Sequence, residues 1–276
     1  MMLLGVGSGP RDASMSRTYT FIDGAFLYDY VRECGELIFG EKPNLDPAAI
    51  RGAFSSERIL YYDAERKATD DDSAETKKNI DCRVELLADL RKQPNLIVRN
   101  GASVRRTGKR HRDSPVQQKE VDVLLAVDAL KHAYQGNMQH AILVANDRDF
   151  CPLVEVLVDF GVRVEVRAPQ YIVSSSLVES VDIFNPLTIE TITTMFEPDK
   201  RALCKSFKVT SKGMGSWCDS FTKVGEYRDE PLLKGLIGER QYYYCVSTGQ
   251  RFWGEQSEYL EPWVYAELRA ECIKPS

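Results

Sequence analysis

Aspartates recur in this sequence at one kind of position, just past a short run of β-branched or aromatic residues. Asp23 closes Phe21-Ile22-Asp23-Gly24, Asp63 closes Tyr61-Tyr62-Asp63, and Asp147 and Asp149 follow Val144-Ala145-Asn146. Asp122 stands in Lys119-Glu120-Val121-Asp122-Val123, at the start of a stretch with helical spacing. Carboxylates crowded together without cations repel one another and shift toward the neutral form. A hard divalent ion, Mg²⁺ or Mn²⁺, removes that penalty. Such an ion takes a few carboxylates, waters and phosphate oxygens as ligands, and it can activate a water and stabilise the leaving oxygen in phosphodiester cleavage. Each acid also has a plainer reading: Asp122, Asp147 and Asp149 could cap helices, and Asp23 and Asp63 could open turns. The chemical reading depends on whether the fold gathers them.

The surrounding pattern says that it does. Tyr19–Asp23, Arg58–Asp63, Leu96–Asn100, Ala141–Asn146 and Arg163–Arg167 read as strands. Between them, Gly24–Phe39, Ala74–Arg91 and Val121–Tyr134 carry apolar residues at i, i+3, i+4 spacing, as does Phe150–Phe160, which stops at Gly161. Strands alternating with helices imply βαβ units, a parallel sheet and right-handed crossovers. In such a sheet ligands bind beyond the carboxyl ends of the strands, where strand order reverses, so acids at strand ends share an edge. After Pro186 one last helix is expected over Thr188–Phe196, and Glu197-Pro198-Asp199 reads as a boundary. Beyond it, Phe207–Thr210, Gln241–Val246 and Gln250–Trp253 suggest short strands, with a turn at Ser247-Thr248-Gly249, in a small β-rich or α+β module.

Composition sets outer limits. The chain has 276 residues, 43% apolar and 28% charged, enough for one α/β domain and a smaller module. The expected division is a leader over 1–17, an α/β domain over 18–197 and the module over 198–276. A net charge of −5 means that any nucleic acid is held by local basic patches or through metal ions. Seven widely spaced cysteines without a CxxC pair fit free thiols in a reducing cytoplasm, and the four C-terminal ones lack the spacing of a zinc set. No run approaches the roughly 18 apolar residues that span a bilayer, so no membrane partner is expected.

Taken in order, Phe21–Gly24, Tyr61–Asp63, Lys119–Val123 with Asp128, Asn146–Phe150, Gly161–Val164 and Ser175–Phe184 resemble the successive motifs of NYN domains, over about residues 18 to 190. That resemblance implies a three-layer PIN-like α/β fold with a parallel sheet of order 3-2-1-4-5 and metal-dependent cleavage of RNA. It implies Asp23, Asp122 and Asp147 as ligands of Mg²⁺ or Mn²⁺, with Asp149 as a fourth catalytic acid. Asp128 lies six residues after Asp122, roughly 240° further round a helix, so the two cannot share a face and Asp128 is expected to be structural. Two departures stand out. Phe26 occupies the place of a usual asparagine, and Asn146 that of a usual glycine.

The stretch Arg105-Arg106-Thr107-Gly108-Lys109-Arg110-His111-Arg112, between the third strand and the Asp122 helix, is the best candidate grip on phosphates. Lys119 could touch the scissile phosphate or simply pair with an acid. Arg240–Tyr244 and Arg251–Trp253 mix bases with aromatics, which could stack bases or fill a small core. The expectation is an endoribonuclease acting on single-stranded or structured RNA. The alternatives are an NYN-fold RNA binder with little or no cleavage, which Phe26 favours, and a phosphohydrolase of small molecules. Oligomeric state is not legible.

Overall fold

The computed structural model describes residues 17–65, 68–101, 119–210 and 221–268. The first part runs β1 (Thr18–Asp23), α1 (Gly24–Phe39), α2 (Pro47–Ala53), β2 (Arg58–Ala64), α3 (Ala74–Leu90), β3 (Leu96–Gly101) and α4 (Lys119–Tyr134). It continues through β4 (His140–Val144), a short 3₁₀ turn (Arg148–Phe150), α5 (Cys151–Asp159), β5 (Arg163–Val166), α6 (Ser175–Ser180), β6 (Ile183–Phe184) and α7 (Ile189–Thr194). The rest is α8 (Pro198–Cys204), β7 (Lys208–Thr210), β8 (Thr222–Tyr227), β9 (Glu230–Ile237), β10 (Arg240–Cys245), β11 (Arg251–Glu255) and α9 (Leu260–Leu268).

The first sheet is parallel, in the order β3-β2-β1-β4-β5-β6. This is the expected five-strand order with a two-residue edge strand added by Ile183–Phe184. Alternate side chains feed two cores. Ile22, Ile59, Tyr61, Ile142 and Val144 pack toward α1 and α7, whereas Phe21, Leu60, Tyr62 and Leu143 pack toward α4 and α5. Helices on both faces explain why Tyr19, Thr20, Phe21 and Ile22 of β1 are all buried, instead of every second residue. Order reverses between β1 and its neighbours β2 and β4, which puts the crevice of a doubly wound sheet at the ends of β1 and β4. Among the described residues no helix is long and apolar enough to cross a membrane.

The second sheet is antiparallel, in the order β7-β11-β10-β9-β8. Its β10–β11 hairpin closes at Ser247-Thr248-Gly249, where Gly249 takes the left-handed φ of 68° that glycine adopts without strain. The sheet is not packed alone. Trp263 of α9 is fully buried, edge-on to Phe207 at 5.7 Å and to Phe252 at 6.1 Å, and its cluster continues into Val31, Cys34 and Ile38 of α1. The boundary near residue 197 therefore separates two topologies that share one core.

Candidate metal centre at the carboxyl edge of the parallel sheet

Asp23 is the last residue of β1 and the N-cap of α1, its Oδ1 accepting from the backbone N–H of Phe26 at 3.2 Å. The strand-to-helix turn is pressed against β2. A Cβ on Gly24 would lie 2.3 Å from a Tyr61 ring carbon and 2.6 Å from the Tyr62 carbonyl oxygen, so only glycine fits. The Tyr61 hydroxyl fixes the turn by donating to the Gly24 carbonyl at 3.1 Å. Burial pushes the Asp23 carboxyl up to about 6, the amide of Phe26 opposes this, and the charges of Asp122 and Asp63 add to the rise.

Asp122 lies in the first turn of α4 with its side chain at the surface. Partial desolvation raises its carboxyl, followed by the charges of Asp147 and Asp149. Those two stand just past β4. Asp147 caps the 3₁₀ turn, accepting from the Asp149 N–H at 3.0 Å, and both are exposed. The Asn146 carbonyl accepts from the Ser174 N–H at 3.2 Å, which braces this loop against the segment after β5. Asp23 thus feels Asp122, and Asp122 feels Asp147 and Asp149: four acids from three elements lie in one field. Carboxylate oxygens gathered in this way suit a hard divalent cation in chemistry and in charge. The fit is one of donors and field and not of a finished cage, since among the described residues no three His, Cys, Asp or Glu side chains converge as a group able to hold an ion.

Two other aspartates are taken up by structure. Asp63 was expected among the acids of this edge, but it is fully buried and held by Arg83, with Nε 2.9 Å from Oδ2. Burial alone would lower Arg83, and the Asp63 carboxylate more than reverses it. Asp128 is buried on the far face of α4, accepting from Arg99 Nε at 2.9 Å and from the Tyr62 hydroxyl at 3.2 Å. Asp128 is therefore structural, as the helix geometry requires.

The basic candidates are less informative. Lys119 opens α4. Arg105, Arg106, Lys109, Arg110 and Arg112 lie outside the described residues, as do His111, Cys218 and Cys272. His132 packs edge-on to Tyr19 at 5.1 Å, and His140 sits 3.4 Å from Glu165, so neither faces the acids. Cys34, Cys204 and Cys245 are buried and form no disulfide. Residues not anticipated are Tyr30 and Tyr171, whose hydroxyls bond to each other and tie α1 to the loop after β5. A tyrosine seven residues past Asp23 and another in a loop carry no local signal of that contact.

A parallel sheet of this order with helices on both faces is an α/β fold of the PIN-like type. The chain belongs to the NYN domain family, whose sequence pattern matches residues 17–188. No curated protein shows significant similarity to it. Among solved structures, two are similar in part as follows. A protein of unknown function from Vibrio parahaemolyticus is 16% identical with a TM-score of 0.44, covering 68% of this chain and 99% of its own. A Parabacteroides merdae protein described as a candidate oxidoreductase is 12% identical with a TM-score of 0.27, covering 63% and 32%.

Proposed function

We propose that this protein is a metal-dependent endoribonuclease in which Asp23, Asp122 and Asp147 hold Mg²⁺ or Mn²⁺ and Asp149 assists. The observation that carries this reading is the position of four acids at one edge of the sheet, where burial and then the charge of Asp122 raise the Asp23 carboxyl, and desolvation and then the charges of Asp147 and Asp149 raise that of Asp122. A divalent ion bound there supplies positive charge for the scissile phosphate and acidifies the attacking water. Asp149, kept free of the capping role by Asp147, orients that water from the exposed side. Attack at phosphorus forms one P–O bond and breaks another, and the water's proton ends on the departing oxygen or in solvent.

The phosphates on either side need cations, which the net charge of −5 does not supply globally. Arg105, Arg106, Lys109, Arg110 and Arg112, with Lys119, are the proposed grip. In sequence the arginines and Lys109 precede α4, whose first turn carries Lys119 and Asp122. A small-molecule phosphohydrolase is disfavoured. The cleft of about 400 Å³ between α1 and α3 is lined by Tyr28, Arg32, Asn79 and Arg83 among others, and by none of the four acids.

A second reading, RNA binding with little cleavage, is favoured by Phe26, an apolar group where the family pattern carries a polar one. Incubation of the purified chain with mixed structured and single-stranded RNAs, with Mn²⁺, Mg²⁺ or EDTA, separates the two. Metal-dependent fragmentation supports the nuclease, and retention of intact RNA on the protein supports the binder.

A further inference from the structure

We infer that Phe26, stacked on Tyr30, is a stacking platform for one base of a single RNA strand, placed beside the acidic edge so that the neighbouring phosphate lies over the acids. The inference rests on the RNA-directed reading above and names how that site takes its substrate.

Position comes first. Phe26 is the third residue of α1, and its own N–H donates to the Asp23 carboxylate. Side chains in a helix lean toward its N-terminus, so the Phe26 ring leans over the Asp23–Gly24 turn. It touches both core clusters, one on each face of the sheet, yet remains partly exposed, as a residue at the rim of the sheet must.

The ring is also held. It stacks on Tyr30 with centroids 6.0 Å apart and planes 18° from parallel. The Tyr30 hydroxyl bonds to that of Tyr171, in the loop after β5. The same loop donates from the Ser174 N–H to the Asn146 carbonyl, one residue before Asp147. An aromatic row thus crosses from the end of β1 to the end of β5, tied at one side to Asp23 and at the other to the loop of Asp147.

The chemistry of this surface fits a base and not a phosphate. A row of carboxylates repels the backbone of RNA wherever no cation intervenes, whereas an uncharged ring neither attracts nor repels it. Every base has a π-face, so stacking there is tolerant of sequence and requires an unpaired strand. A ring already held by Tyr30 would offer its exposed part to a base at little cost in side-chain ordering, which is the usual advantage of a preorganised contact.

The test uses the full chain at low salt with EDTA, so that no strand is cut. Short single-stranded RNAs carry the fluorescent base 2-aminopurine at each position in turn. Anisotropy of an end label reads binding, and quenching of 2-aminopurine reads stacking. The expectation is strong quenching at one or two adjacent positions. Phe26→Leu should abolish that quenching and weaken binding by about tenfold, while Phe26→Tyr keeps both. Phe26→Trp, which keeps the ring if Leu proves unstable, should bind at least as tightly and lose its own emission on RNA addition. Binding by anisotropy without quenching at any position, or equal affinity and quenching in a folded Phe26→Leu protein, overturns the platform while leaving RNA binding intact. Failure of anisotropy to detect any binding, in EDTA and again with Ca²⁺ supplied to neutralise the acids, overturns both.

Discussion

The guanidinium of Arg83 reaches from α3 to the buried carboxylate of Asp63, Nε to Oδ2 at 2.9 Å, and its other side lies 5.2 Å from the centre of the Tyr28 ring. Acid, base and ring form a closed unit in which neither charge is left for a ligand. Arg83→Leu strands a carboxylate out of water and should cost about 3–5 kcal/mol of stability. Adding Asp63→Asn should restore part of that loss, because the amide oxygen still accepts from the Ala64 N–H. Denaturant unfolding of the two single variants and the double one measures the coupling. Strict additivity would show that the pair does not act as a unit.

Asp23 should behave in the opposite sense. Its carboxyl rises from 3.8 to about 6 on folding, so the folded protein holds the proton more tightly than the unfolded chain. The stability this contributes is complete below about pH 4 and is lost as pH rises through about 6. Asp23→Asn keeps a capping oxygen and removes the buried charge. Metal-free protein carrying it should be more stable than the wild type by about 1–2 kcal/mol at neutral pH, with no gain near pH 4. Urea unfolding in EDTA at the two pH values decides this, and a variant weaker than wild type at neutral pH would contradict it.

These two acids show what the sequence could convey. Both end an aromatic strand, and nothing local separates them; what does is Arg83, 20 residues beyond Asp63 on another helix. The parallel sheet was readable because β2 and β4 are buried on both faces and so carry unbroken apolar runs, and β1 ends in Phe21-Ile22 before Asp23. Strands β8 and β9 were not, since Thr222–Tyr227 and Glu230–Ile237 are half-exposed and mix Lys, Glu, Gly and Pro with their apolar residues. Trp263 could be assigned to the last module, but its burial against α1 depends on contacts more than 200 residues apart in sequence.

That shared core predicts the result of truncation. A chain ending after Glu197 loses Phe207, Phe252, Trp263 and Val264 from the cluster that contains Val31 and Ile38, and it exposes one face of α1. Such a protein should aggregate or melt well below the full chain, and Trp263→Ala alone should cost about 3–5 kcal/mol. A truncated chain with an unchanged circular dichroism melt would mean that α9 contributes no stability.

The basic stretch predicts a salt effect. Changing Arg105, Arg106, Lys109 and Arg110 to Ala should weaken RNA binding for all sequences, and each lost phosphate contact should flatten the log–log salt slope by roughly 0.7. An unchanged slope would place these side chains away from the backbone.

The central claim is that Asp23, Asp122 and Asp147 make one metal-dependent active site, and the most direct measurement is the rate of RNA cleavage against Mn²⁺ concentration for the wild type and Asp147→Asn. Asp147 is exposed, and asparagine retains its capping acceptor, so the variant should fold and melt like the wild type. The account predicts cleavage that saturates with Mn²⁺ in the wild type and falls by about 100-fold or more in the variant, as expected when a ligand of a catalytic ion is lost. Equal Mn²⁺-dependent rates in the two folded proteins would contradict it.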